Sequence, residues 1–252
     1  MSTRGTDGPP PWVRGSFMDR LPAAQAAELL TLSRTTTFEA GDVLLRQGEP
    51  SRHVMLLQPA DPAAVACAKV TAGLEGGAET LLSIRVSGDL IGEQAALRDV
   101  PRSATVTACT PLRVAVVTAD RFLAFLGGHP EAAQHVAAVL ADRLDSANRR
   151  RLDFAAYSVP IRLARVLVEL ADLLGRAGDG GTSIGVELSQ PELGRLIGAG
   201  EDAVGQAVRR LKTEGFVRPH YRGVTVLDLR GLRRFADLAP VTSEPRPRTR
   251  RS

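Results

Sequence analysis

Apolar positions along the chain change their period twice. Over residues 21–32, Leu21, Leu29, Leu30 and Leu32 fall at helical spacing among alanines and predict a short helix. Over residues 35–117 the texture becomes short runs of Val, Leu, Ile and Thr. Turn residues separate them: Ala40-Gly41-Asp42, Gln47-Gly48-Glu49-Pro50, Gly76-Gly77 and Ser87-Gly88-Asp89. Short strands with frequent glycine turns predict an all-β barrel or sandwich. Residues 59–64 read as a polar loop inserted between two strands. Helical spacing returns over 120–126, closed by Gly127-Gly128, and continues in a long helix over about 130–157 with Pro130 in its first turn. Val136, Leu140, Leu144, Ala147 and Phe154 approximate a four-three spacing along that helix, interrupted by Arg151. Such a seam suits either a core-facing or a dimer-forming helix.

Residues 160–174 predict a further helix, with Ile161, Leu163, Ala164, Leu167, Val168 and Ala171 on its buried side. Residues 175–181 read as a flexible loop and 184–188 as a strand. Ser189 followed three residues later by Glu192 is the capping-box pattern that opens a helix over 189–197. Gly198-Ala199-Gly200 makes a turn, a second helix covers 201–214, and Gly215 stops it. Strand-like runs at 216–218 and 223–227 follow. Helix, tight turn, helix and β-ribbon form the winged helix-turn-helix pattern.

The bulk properties exclude more than they assign. The 252 residues suit one large or two small domains, and 44% hydrophobic content allows each a core. No apolar run approaches the ~20 residues of a membrane span, and residues 1–15 lack the apolar stretch of a signal peptide, which predicts a cytoplasmic protein without a membrane partner. The net charge of +4 is matched by Arg246, Arg248, Arg250 and Arg251 in the tail, so charge is weak support for nucleic acid. Cys67 and Cys109 lie in apolar runs and read as small core residues. The four histidines show no metal-ligand spacing, so neither a metal nor a cofactor is expected. No Ser-His-Asp set or nucleotide-hydrolysis loop is visible, and no catalytic residue is assigned.

One segment carries chemistry. Ile91-Gly92-Glu93-Gln94-Ala95-Ala96-Leu97, then Arg98-Asp99-Val100, lead into Pro101-Arg102-Ser103-Ala104-Thr105-Val106. A glycine before a short helical turn presents free backbone N–H groups. Arg102 can pair a phosphate through two parallel hydrogen bonds, with Ser103 adding a hydroxyl. Glu93 would repel an anion and needs a ribose hydroxyl or a cation such as Arg143 as its partner. The segment resembles the phosphate-binding cassette of cyclic-nucleotide-binding domains: Gly-Glu, eight residues, then Arg-Ser-Ala-x-Val. That resemblance implies Arg102 and Ser103 on the cyclic phosphate and Glu93 on the ribose 2′-hydroxyl, with the Gly92 backbone alongside.

The resemblance extends over residues 30–235 to the cyclic-AMP receptor and fumarate-nitrate regulator (Crp-Fnr) family. Phe38-Glu39-Ala40-Gly41-Asp42, Arg46-Gln47-Gly48-Glu49 and Arg162-Leu163-Ala164-Arg165-Val166-Leu167 match it. It implies an α+β fold: a disordered tail over 1–16, a cyclic-nucleotide-binding jelly-roll barrel over 17–128, and a long dimerisation helix over 129–158. A winged helix-turn-helix over 159–239 and a basic disordered tail over 240–252 complete it. The implied protein is a cyclic-nucleotide-controlled transcription regulator, with cyclic AMP the first ligand and cyclic GMP the other. Its implied partners are a second copy, a palindromic site in double-stranded DNA, and RNA polymerase. A nucleotide-binding module that contacts protein, and a ligand-independent regulator with a degenerate pocket, are the alternatives.

The chain departs from the family at both ends of the mechanism. Where the cyclic-AMP receptor reads adenine with a Thr-Ser pair on the long helix, this chain has Ala147 and Asn148; only Asn148 can hydrogen-bond a base edge. Gln58-Pro59-Ala60-Asp61-Pro62 replaces a glycine turn. The reading helix opens Gly200-Glu201-Asp202 where the family has an arginine that reads guanine. An acidic side chain can accept from cytosine N4 and Gln206 can read adenine. Ser189, Gln190, Arg209, Arg210 and Lys212 complete the expected DNA surface.

Overall fold

The computed structural model describes residues 12–61, 66–73, 79–178, 180–221 and 223–237. Helices α1 (Phe17–Arg20) and α2 (Ala23–Thr31) precede eight strands: β1 (Arg34–Phe38), β2 (Val43–Leu45), β3 (Val54–Pro59), β4 (Cys67–Gly73), β5 (Glu79–Val86), β6 (Leu90–Ile91), β7 (Thr105–Ala108) and β8 (Leu112–Val117). A short helix, α3 (Glu93–Arg98), lies between β6 and β7. The strands form two antiparallel sheets, ordered β1-β8-β3-β6 and β2-β7-β4-β5.

Strand β3 shows why the sequence pattern there is continuous rather than alternating. Met55 and Leu57 point into the cluster between the sheets, while Val54 and Leu56 pack on helices outside. Buried on both faces, such a strand reads as an unbroken apolar run. That outer cluster takes Phe17, Met18 and Leu29 from α1 and α2, and Phe122 and Phe125 from α4 (Ala119–Gly128). Ala132, Val136 and Val139 come from α5 (Pro130–Ala156), the long helix expected over 130–157.

The chain then turns into α6 (Val159–Leu174), followed by β9 (Arg176–Gly178), β10 (Gly181–Ser183), α7 (Gln190–Ile197), α8 (Glu201–Thr213), β11 (Val217–His220), β12 (Gly223–Val226) and α9 (Leu229–Phe235). The expected helix, turn, helix and ribbon are all present. Three local expectations fail. The stretch 175–181 contains strands rather than only a loop: β9 pairs with β10 in a hairpin, and Thr182 and Ser183 of β10 pair in turn with Val226 and Thr225 in a sheet ordered β11-β12-β10-β9. The β10–β12 pairing is tertiary and leaves no local signal. Residues 184–188 form no strand: Gly185 at φ +53° bends the chain, although Ile184, Val186 and Leu188 still alternate into the core. Residues 12–16, expected as part of a disordered tail, are ordered. Val13 N–H donates to the Ser87 carbonyl at 3.0 Å, and Ser16 is buried as the cap of α1. Residues 1–11, the glycine turn at 76–77 and the basic tail lie outside the described residues, as do residues 62–64 of the 59–64 loop.

The two halves share a third cluster. Cys67, Leu81, Ile84 and Val86 of the barrel pack with Leu163, Leu167, Leu193 and Leu196 of the helical part. Lys69 on β4 is ion-paired to Glu192 in the first turn of α7. No described helix is long and apolar enough to cross a membrane.

Candidate nucleotide cavity and DNA-reading surface

The cassette residues converge on a small cavity of about 70 Å³, lined by Gly92, Glu93, Gln94, Ala95, Arg102 and Ser103 together with Arg85 and Arg143. Gly92 sits at φ +78°, a conformation that favours glycine, and opens α3. An added Cβ would also strike the Arg102 guanidinium and come within 3.0 Å of the His53 carbonyl. Glycine is thus required here twice, by backbone angle and by space.

Arg102 is 3% exposed. Its Nε donates to Ser51 Oγ at 3.0 Å, Nη1 to the Gly92 carbonyl at 2.8 Å and Nη2 to the His53 carbonyl at 2.6 Å. A guanidinium has five N–H donors, so two remain for a ligand. Removal from water lowers its pKa, while Glu49 and Glu93 oppose the shift. The fixed geometry suits a pre-aimed anion site. Ser103 lines the same cavity and is exposed.

Glu93 is 4% exposed and needs the partner its burial demands. Arg143 on α5 supplies it: Nη1 donates to Glu93 Oε1 at 2.7 Å and Nη2 to the Leu90 carbonyl at 2.6 Å, with Asp89 4.0 Å away. This bridge ties the cassette to the long helix. Asn148 is exposed and lines neither this cavity nor the larger groove beside it. Ala147 does line that groove.

Beyond the cassette, α5 runs exposed, with Leu144 61% and Leu152 68% accessible. Asp153 pairs with Arg165 at 2.9 Å and Arg150 with Glu169 at 3.1 Å, fastening α5 to α6. The Phe154 ring lies against Gly198 in the turn between α7 and α8, under the Arg162 guanidinium.

The capping box at Ser189 forms: Glu192 N–H donates to Ser189 Oγ at 3.4 Å and Ser189 N–H to Glu192 Oε2 at 2.8 Å. Gly194 allows α7 to approach the following turn, since a Cβ there would meet the Ala199 carbonyl and Val204. Val204, Ala207, Val208 and Leu211 bury one face of α8. The opposite face presents Glu201, Asp202, Gln206, Arg209 and Lys212 to solvent, with Gly200 exposed at the cap and Gln190 exposed at the start of α7. Arg210 is different. Its Nε pairs with Glu214 at 2.9 Å and the guanidinium stacks on Phe235, which turns it from the face of Asp202 and Gln206.

Sequence reasoning overlooked three features. Arg218, His220 and Tyr221 are exposed at the β11–β12 tip, Tyr221 86% so; an aromatic between two short strands was the available sign. The Lys69–Glu192 pair joins residues 123 apart and has no local sign. Arg85 lines the cassette cavity from β5, and a lone arginine in that strand gives no local sign of which side it serves.

Comparison with known proteins agrees with this geometry. The cyclic nucleotide-binding domain model matches residues 35–129 and the Crp-like helix-turn-helix domain model matches residues 161–235. The chain is a Crp-Fnr family transcription regulator. The CRP-like cAMP-activated global transcriptional regulator of Mycobacterium tuberculosis is 28% identical over 224 residues, 88% of this chain and 96% of that protein. The cAMP-activated global transcriptional regulator CRP of Escherichia coli O157:H7 is 26% identical over 62% of this chain and 74% of its own. Among solved structures, a CRP/FNR family regulator of Thermus thermophilus is 25% identical with a TM-score of 0.65, covering 81% of this chain and 98% of that one. The c-di-GMP responsive global regulator CLP of Xanthomonas campestris shares the fold at 20% identity and a TM-score of 0.67, over 82% of this chain and 100% of that one.

Proposed function

We propose that this Crp-Fnr regulator is a cytoplasmic homodimer that binds a purine cyclic nucleotide in the cassette and presents two α8 helices to a palindromic operator. The observation that carries this reading is the Glu93–Arg143 bridge, which links a cavity lined by Gly92, Arg102 and Ser103 to the helix leading into the DNA-binding half. Arg102 and Ser103 take the cyclic phosphate and Glu93 the ribose. A bound ribose competes for Glu93, so ligand and Arg143 share one carboxylate. A change in the Glu93–Arg143 pair when a ribose takes the carboxylate is what the long helix can transmit.

The exposed Leu144 and Leu152 support the homodimer, since two such residues on one helix are covered at little cost by a second copy. The names of the curated relatives make cyclic AMP the first ligand to test. RNA polymerase is the further partner of a transcription regulator bound at its operator.

The test is selection of DNA from a random pool by the purified protein, with and without cyclic AMP or cyclic GMP, alongside Arg102→Ala. A palindrome enriched only with nucleotide, and lost in the variant, supports the reading. Equal enrichment in all conditions would leave a regulator that ignores the pocket.

A further inference from the structure

The cassette cavity does not end at the phosphate residues. It shares two side chains, Arg85 and Arg143, with a groove of about 790 Å³ between β5, α5 and α6. With a ribose at Glu93 and its phosphate at Arg102, the base can pass those two guanidiniums into the groove. The cassette alone, at about 70 Å³, has no room for a purine, given that a cavity of ~150 Å³ accommodates benzene.

The two arginines are not equivalent. Arg143 is engaged by Glu93, the Leu90 carbonyl and Asp89. Arg85 makes no ion pair with a described carboxylate. Its side-chain hydrogen bond runs from Nη1 to the neighbouring Ile84 carbonyl at 3.4 Å, near the limit of a real bond. Removal from water holds its pKa at about 10, well below the usual guanidinium value, with Arg143 also lowering it and Asp89 and Glu93 opposing. This half-buried guanidinium is held by the protein through one long hydrogen bond, so most of its donors are free for a ligand in the shared wall.

Which base supplies them follows from donor and acceptor patterns. Guanine offers two adjacent acceptors, O6 and N7, which match the fork of an arginine; adenine offers N7 beside the N6 amino donor, which opposes it. On the α5 wall of the groove Ala147 has no polar group to hold adenine's amino group, and the acceptors beside it are already engaged: Asp142 by Arg20, Ser146 Oγ by Arg149 and Asp153 by Arg165. We propose that Arg85 reads the base and gives this regulator a preference for guanine over adenine cyclic nucleotides. The inference rests on the cassette being a nucleotide site, and it assigns a specificity that the relatives' names do not carry over.

The test is calorimetric titration of the full-length protein with cyclic GMP, cyclic AMP and cyclic IMP. Cyclic IMP keeps O6 and N7 but lacks the 2-amino group. The expected order is cyclic GMP and cyclic IMP similar, both tighter than cyclic AMP by about tenfold or more, the discrimination of one bidentate contact. Arg85→Leu should remove that gap by weakening cyclic GMP and cyclic IMP while sparing cyclic AMP. Arg85→Lys, which keeps charge but loses the planar fork, should also narrow it. Circular dichroism melts establish that both variants fold.

Cyclic AMP binding as tightly as cyclic GMP in the wild type, with Arg102→Ala abolishing both, would overturn the role of Arg85 and leave the nucleotide site standing. Cyclic IMP behaving like cyclic AMP would also overturn it, since the 2-amino group would then be what is read. Binding of no cyclic nucleotide would remove both readings together.

Discussion

Arg102 and Arg209 are both arginines placed for an anion, and the protein treats them in opposite ways. Arg102 is 3% exposed and holds three hydrogen bonds to its own barrel. Arg209 stands in solvent on α8, with Asp202 and Gln206 on the same face. A buried cation must be satisfied in full, so its surroundings, Gly92 above all, are fixed along with it. An exposed cation is screened and interchangeable, so the reading helix can lose the family's arginine to Glu201 without loss of fold. The cassette is therefore where single substitutions should be most costly, and α8 where they should be graded.

The largest expected effect is at Arg102. Replacing it by alanine removes one partner of a buried charge-assisted pair, a change of ~2–5 kcal/mol, so nucleotide affinity should fall by roughly thirtyfold or more. It also strands the Gly92 and His53 carbonyls, so the melting temperature should fall as well. Gly92→Ala sharpens the point without removing any charge. It adds a side chain at φ +78° against Arg102, and should weaken nucleotide binding by at least about tenfold through displacement of that guanidinium. Calorimetry measures both, and unchanged affinity in Gly92→Ala would mean that Arg102 is not held in place for the ligand.

The ease of reading these regions from sequence divides along the same line. The cassette was legible because burial fixes residue type and spacing together: Gly92, Glu93 and Arg102 each fill a role that few other residues could. The strands and long helix were legible by their apolar period, and the capping box at Ser189 by its two letters. The β10–β12 pairing was not, because two-residue ladders are set by tertiary contact. Arg210 was legible only in part: its i,i+4 partner Glu214 stands in the sequence, but the stacking on Phe235 depends on α9, an element that carries no strong signal. Arg85 escaped because a single arginine in an alternating strand looks like an ordinary outward residue until the cavity on that side is seen.

The next effects in size belong to the DNA-binding half. Ser189→Ala removes the N-cap of α7 and should cost ~1 kcal/mol, read as a lower urea midpoint. Arg209→Ala should weaken operator binding evenly across sequences and reduce the salt slope by about 1, while Arg210→Ala, already held within the protein, should do less. Equal salt slopes for the two variants would place both arginines on phosphate and erase the distinction drawn from Glu214.

The smallest effect is a pH dependence that returns to the cassette. His53 gives its carbonyl to Arg102, and its Nε2 is buried without a hydrogen-bond partner among the described residues. Removal from water lowers its pKa, and the Arg102 charge lowers it further, against a smaller opposing effect of Glu49. The unfolded chain therefore takes up a proton more readily than the folded one, beginning near pH ~6.5. Stability from neutral His53 is full above that pH and is lost as pH falls toward the depressed folded value. His53 is half-buried, so solvent screening keeps the effect under ~1 kcal/mol between about pH 7.5 and 5.5. Urea midpoints at those two pH values should differ more in the wild type than in His53→Gln, above the range where carboxylates titrate. Arg102→Ala should share the flatter response, because it removes the neighbouring charge. A variant that keeps the full wild-type slope would show that the acid sensitivity lies elsewhere in the barrel.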